Sequence, residues 1–228
     1  MKLHFKTLFI LFFSIYTGIQ AQSDKSAKIE AYMKQANKIG VFNGNVLVID
    51  NDKIVHQASL GYADAAQTIP LTAQHIFQIG SIAKEFNATG IMLLKEQGKL
   101  ELDQKVSEFF PDLPPWSKKI TIKHLLQYTS GLPDVNWYTI KSEADNWKDL
   151  YRLTALKFEP GTNYYYNNNN TFLQRKIIEK ITGMKFNDFV QEKLLKPIGI
   201  HNAIVDPLGH EPFMTQSFNE NFKTDTLI

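Results

Sequence analysis

The sequence predicts a mixed fold in which one β-hairpin is followed by mostly helical chain. Two observations carry that reading. Asn43–Ile49 (NGNVLVI) and Lys53–Leu60 (KIVHQASL) are β-rich runs joined by the turn residues Asp50-Asn51-Asp52, which implies antiparallel pairing. Around them, apolar residues recur at helical spacing in several segments. Ile29, Tyr32, Met33, Ala36 and Ile39 make Ser23–Ile39 an amphipathic helix ahead of the hairpin. After a loop, a helix is expected from about Ser81 to Gln97, stopped by Gly98. From Leu100 to Phe158 the breaks at Pro111, Pro114-Pro115 and Pro133 leave only short helices. Glu159-Pro160-Gly161 is a turn. A further helix is expected from near Thr171 to Gly183, and another over Phe186–Leu195. Asn167–Asn170 is a low-complexity tract that by itself would mean a loop.

Composition narrows the class. The chain has 228 residues, 43% of them hydrophobic, which describes a foldable globular chain, one domain by its length with two small ones as the weaker option. Lys and Arg number 25 against 23 Asp and Glu, and Lys2 and Lys6 lie in an N-terminal stretch without acids. The remainder is therefore balanced and has no basic run, which argues against nucleic acid as a partner. There are no cysteines, so disulfides, thiolate metal sites and a cysteine nucleophile are excluded.

Residues 1–21 read as a signal peptide. Lys2, His4 and Lys6 precede the apolar run Leu8–Ile15, and small Ala21 follows a polar stretch. The run is shorter than the roughly 20 apolar residues of a membrane span, which makes an uncleaved anchor the weaker alternative. No other stretch is long and apolar enough to span. The mature chain, residues 22–228, is expected to be exported, periplasmic or secreted.

Two short patterns could carry chemistry. Ser81-Ile82-Ala83-Lys84 is the single S-x-x-K of the chain. At a helix start it puts Ser81 and Lys84 on one face, where a desolvated lysine can take the serine proton and free N–H groups can hold an oxyanion. An N-cap serine beside a solvated lysine explains the same four residues. Tyr166-Asn167-Asn168 offers a phenol to relay a proton and an amide, Asn168, to hold Lys84 and a substrate carbonyl. An aromatic turn over Tyr164–Tyr166 is the plainer alternative, and Tyr165-Tyr166-Asn167 fits Y-x-N as well. The histidines show no metal spacing, and His124 reads as a hydrogen-bonded structural residue. With no phosphate-cradling glycine loop, no cofactor and no metal are expected.

In order along the chain, these motifs resemble a family. Phe77–Lys84 (FQIGSIAK) resembles the nucleophile motif of the serine β-lactamase and penicillin-binding-protein superfamily, in its class C-like branch. Gly98–Asp103 with Val106 and Phe110-Pro111 is similar to its next stretch. Ile120–Pro133 resembles its I-T-I-x-H-L-L-x-H-T-S-G-L-P signature, with Tyr128 where that signature has histidine. Pro160-Gly161-Thr162 followed by Tyr166-Asn167-Asn168 is similar to its P-G-T…Y-S-N segment. Leu173, Ile177, Ile178 and Glu179 fit the helix that follows only if Tyr166 is the motif tyrosine.

The resemblance covers roughly residues 42–200. It implies an α+β (α/β sandwich) fold of the β-lactamase/transpeptidase-like type, an antiparallel sheet flanked by helices with a helical subdomain. It also implies Ser81 as nucleophile, Lys84 and Tyr166 as base and acid, and Asn168 as the residue orienting Lys84 and substrate. The expected substrate is a small molecule or peptide: a β-lactam, a D-Ala peptide or an ester. The third motif of the family, K-T-G or H-x-G, has no match after Tyr166, so the C-terminal strands are expected to be missing. Residues 22–228 alone are then expected to be aggregation-prone and catalytically impaired. Two readings stay open, an exported serine hydrolase and a truncated remnant or non-catalytic binding module of the same fold; the sequence leaves the oligomeric state open.

The signal-peptide reading makes a direct prediction. N-terminal sequencing of protein from the producing cell should find Gln22 or a neighbour first; an intact Met1 on membrane-bound material would overturn it.

Overall fold

The computed structural model describes residues 24–205 and 211–218, and the expected signal peptide lies outside them. The described residues divide into two compact units, one formed by residues up to Gln78 with 211–218, the other beginning at Ile79 and running to 205.

In the first unit, helix α1 spans residues 24–38 and leads into the hairpin β1 (Gly44–Asp50) and β2 (Lys53–Leu60). The strands pair antiparallel from Gly44 with Leu60 to Asp50 with Lys53, with an irregularity between Val48 and Ile49. The two turn residues explain the tight reversal. Asn51 and Asp52 both have positive φ, 49° and 59°, the geometry of a primed turn whose twist suits a hairpin and whose positions favour Asn and Asp. Lys25 on α1 pairs with Asp50 at 2.6 Å, and Asn37 Nδ2 donates to the Phe42 carbonyl at 2.9 Å. Val46 and Val48 are half-buried on one face of the hairpin, with His56 buried opposite Val48. Leu47, Ile49 and Ile54 are more than half exposed, so part of the hairpin's apolar surface is uncovered.

The second unit is helical. A tight 3₁₀ turn, Gly80–Ala83, opens into α2 (Lys84–Glu96), followed by the short α3 (Val106–Phe109) and α4 (Ile122–Leu126). Then come α5 (Glu143–Arg152), α6 (Asn168–Thr182) and α7 (Phe186–Phe189), the last continuing as a wider turn over Val190–Leu195. Ile91 and Leu94 from α2, Leu125 from α4, Leu150 from α5, and Leu173, Ile177 and Ile178 from α6 form one core with Phe189. Two buried amides tie helix to helix. Asn87 Nδ2 donates to the Thr171 carbonyl at 3.0 Å, linking α2 to α6, and Gln174 Nε2 donates to the Leu125 carbonyl at 3.0 Å, linking α6 to α4. Gly90 lets α2 approach closely, since a Cβ there would lie 2.8 Å from Ile178 Cδ1 and 2.9 Å from Phe189 Cε1.

The asparagine tract is where the structure corrects the sequence reading. Asn168–Asn170 form the first turn of α6 rather than a loop, and the helix starts three residues before Thr171. Asn167 is the N-cap, its Oδ1 accepting from the Asn170 N–H at 3.0 Å. The other asparagines bond outward to the segment 130–134, and that segment depends on a glycine. Gly131 has φ +77°, and a Cβ there would fall on the carbonyl oxygen of Phe158. Its carbonyl accepts from the Lys157 N–H at 2.8 Å. Gly131→Ala is therefore expected to destabilise the chain by at least about 2 kcal/mol, from backbone strain and loss of this close approach. Chemical denaturation of the two proteins measures it, and equal midpoints would contradict the packing described.

Candidate active site

The chain before α2 presents Ser81. Gly80 has φ +52°, a left-handed conformation that turns the backbone sharply just ahead of the serine. The sequence reading placed Ser81 on the helix itself. The structure puts it in the 3₁₀ turn, one step before α2, and the three-residue spacing still brings the two side chains together. Lys84 Nζ donates to Ser81 Oγ at 2.9 Å. Ser81 is exposed and Lys84 half-buried, so the hydroxyl is open to a substrate while the ammonium stands partly behind it.

Tyr166 is brought to the same place from the other side. Its ring centroid lies 5.2 Å from Lys84 Nζ. Lys84 first, and Ser81 after it, favour the ionised phenol and hold the Tyr166 pKa below the ordinary tyrosine value; partial burial and the Asp134 carboxylate oppose them. Tyr165, the alternative tyrosine, instead has Lys157 Nζ 4.0 Å over its ring centroid. Tyr166 is thus the phenol gathered with Ser81 and Lys84.

Asn168 is positioned differently from expectation. Its side-chain amide and its backbone N–H both donate to Asp134 Oδ1, at 3.1 and 2.7 Å. No hydrogen bond joins Asn168 to Lys84 among the described residues. The carboxylate sits at the first turn of α6, where unpaired N–H groups favour negative charge. Asp134 is therefore the residue that sequence reasoning missed. Its signal was slight, an acid directly after Gly131-Leu132-Pro133 with no lysine or arginine nearby to pair it.

The wall behind Tyr166 is a polar seam. Ser130 Oγ donates to Asn170 Oδ1 at 2.6 Å, Asn167 Nδ2 donates to the Leu132 carbonyl at 3.1 Å, and Asn169 Nδ2 donates to the Pro133 carbonyl at 2.9 Å. The Gly161 N–H donates to the Thr129 carbonyl and the Tyr165 N–H to the Tyr128 carbonyl, at 2.8 and 2.9 Å. His124 is structural, as expected: its Nδ1 accepts from the Thr121 N–H at 3.2 Å inside a reciprocal helix cap. Burial, then Lys105 and Lys123, push its pKa down, consistent with a neutral acceptor.

A serine with its oxygen on a lysine, a phenol beside both, and a hydrogen-bonded seam behind them are gathered on a mixed α and β fold. A family model, Beta-lactamase, matches residues 26–213, and the chain belongs to that family. The chain is similar to penicillin-binding protein 4* of Bacillus subtilis (strain 168), 35% identical over 173 residues, which are 72% of this chain and 38% of that protein. It is similar to the teichoic acid D-alanine hydrolase of Staphylococcus aureus (strain MRSA252), 29% identical over 210 residues, 88% of this chain and 50% of that protein. Among solved structures, a class C β-lactamase superposes with a TM-score of 0.76 at 25% identity, over 92% of this chain and 57% of that one. A penicillin-binding protein from Bacillus halodurans superposes at 0.68 with 28% identity, over 82% and 61%. The fold is β-lactamase/transpeptidase-like, with helices and a small antiparallel sheet. The chain spans about half the length, or less, of these two sequence relatives. No helix among the described residues is long and apolar enough to cross a membrane.

Tyr128 stacks on Tyr166, and burial, with Tyr166, Tyr164 and Glu85 acting in the same direction, pushes its phenol up from 10.0 to about 12. The folded chain therefore holds that proton more tightly than the unfolded chain does. The resulting stabilisation is full below about pH 10 and is lost as pH rises toward about 12. Thermal melts across this window should show the wild type losing stability relative to Tyr128→Phe, and parallel curves would contradict the assignment.

Proposed function

We propose that the chain carries the nucleophilic centre of an exported serine hydrolase that opens an amide or ester through an acyl-enzyme on Ser81. The observation that carries the reading is the 2.9 Å contact between Lys84 Nζ and Ser81 Oγ, with Tyr166 close enough to the ammonium to be shifted by it. Ser81 Oγ attacks the carbonyl carbon, and its proton passes to the Lys84–Tyr166 pair. The carbonyl electron pair moves onto oxygen, where the Ser81 N–H, in the turn before α2, supplies one donor. Collapse breaks the bond to the leaving group, which takes the proton back from the same pair. Water then attacks the Ser81 ester in the reverse sense and releases the acid.

Substrates of three kinds suit this chemistry, a β-lactam, a D-Ala peptide and an ester, and the Staphylococcus aureus relative is named a teichoic acid D-alanine hydrolase. Asn168 takes part by fixing the start of α6 through Asp134. Export rests on the basic start and short apolar core of residues 1–21.

Labelling with a fluorophosphonate or a fluorescent penicillin tests the proposal. Ser81 should be the modified hydroxyl, Ser81→Ala should abolish labelling, and Lys84→Ala should slow it by about 10²-fold or more. Equal labelling of wild type and Ser81→Ala would refute the assignment. Binding of substrate analogues with no adduct on Ser81 would favour the non-catalytic binding module.

A further inference from the structure

Tyr128 stands where the resembling signature has histidine, and the chemistry proposed above leaves it without a task. Its backbone is costly. At φ +58° a bulky residue occupies the left-handed region, which disfavours it by about 1 kcal/mol or more and which asparagine or glycine would tolerate better. Such strain persists only where the surroundings hold it, and here they do. The Tyr128 carbonyl accepts from the Tyr165 N–H at 2.9 Å, so the turn is pinned one residue before Tyr166. The strained turn then lays one ring on another. The Tyr128 and Tyr166 centroids are 5.0 Å apart with 15° between planes, and Tyr164 meets Tyr128 at 6.2 Å and 54°.

We infer that Tyr128 is a positioning residue for Tyr166, its ring clamping the Tyr166 ring so that the phenol oxygen meets Lys84 and Ser81 in one fixed direction. The inference rests on the reading of Tyr166 as the proton carrier of the site. The groups facing the stacked pair are Ser81 from the turn before α2, Lys84 and Glu85 from the first turn of α2, Asp134 from the segment after α4, and Tyr164 from the turn before α6. They act oppositely on the two phenols. Lys84 and Ser81 draw Tyr166 down, whereas burial and the neighbouring groups hold Tyr128 up at about 12. Two stacked tyrosines with separated titrations leave Tyr166 as the phenol that gives and takes a proton, and Tyr128 as a neutral wall. A histidine in the same place would bring a group that titrates near neutrality beside the carrier.

The test titrates the phenols directly in the full chain. Tyrosine is labelled with ¹³C at Cζ, the Tyr166 resonance is assigned by its loss in Tyr166→Phe, and Ser81 labelling by a fluorophosphonate is timed in parallel. Tyr128→Phe keeps the ring and should keep both the Tyr166 midpoint and the labelling rate close to wild type. Tyr128→Gly, which suits the left-handed turn but has no ring, should move the Tyr166 midpoint up toward the ordinary tyrosine value. It should also slow Ser81 labelling roughly tenfold, because the phenol loses its alignment. Tyr128→Leu, which retains bulk without a stacking plane, should behave like Tyr128→Gly and serves if that variant fails to fold. An unchanged Tyr166 midpoint in folded Tyr128→Gly or Tyr128→Leu would overturn the inference. Absent Ser81 labelling in wild type, with a Tyr166 midpoint that still depends on Tyr128, would sink the hydrolase reading and leave the positioning role standing.

Discussion

Everything at the candidate site depends on the hydrogen-bonded seam between the head of α6 and the segment Ser130–Asp134. Ser81 and Lys84 lie three residues apart and need only one helical turn to meet. Tyr166 comes from far along the chain and has no local reason to join them. What brings it there is a set of bonds, buried from Asn167 to Leu132 and from Asn170 to Ser130, half-buried from Asn169 to Pro133 and from Asn168 to Asp134. Each bond is worth roughly 1 kcal/mol net, but each buried partner left alone costs more than that. A shift of register by one residue would therefore leave several buried amides unsatisfied at once. The seam holds Tyr166 by making such a slip expensive, even though Asn169 Oδ1 and Asn170 Nδ2 are themselves buried without a partner.

The helical core plays the matching part on the other side. Asn87 bonds α2 to α6, and Gly90 allows the two helices to approach until Ile178 and Phe189 touch its backbone. That packing fixes where α2 begins, and so where the turn before it presents Ser81. Ser81 and Tyr166 are thus set by two different means, mainly apolar packing for one and polar pairing for the other. They converge because both end on α6.

Much of this was legible in the chain. The hairpin was readable because Asp50-Asn51-Asp52 sits between two β-branched runs, and Asn and Asp tolerate the positive φ the turn adopts. The Ser81–Lys84 pair was readable because helical spacing is short-range geometry. The asparagine tract was not. Four identical polar residues give no periodicity, and their separate tasks depend on partners more than thirty residues away, such as Ser130 and Asp134. Asp134 escaped for the same reason, since its partners are a backbone N–H and an amide rather than an opposite charge. Tyr128 was visible as a departure from a signature, but its meaning lay in a ring contact that only folding creates.

The seam has a consequence for motion. Its innermost amide hydrogens, on Asn167 Nδ2 and the Asn170 N–H, lie in buried bonds beside Leu132, Leu173 and Ile177, all fully buried. Such hydrogens exchange with solvent only when the core itself opens, so the wall behind Tyr166 belongs to the slowest-opening part of the molecule. Ser81 sits in a turn with no buried residue. That turn has the least packing to resist movement, so the site joins one tightly bonded side to one lightly held side.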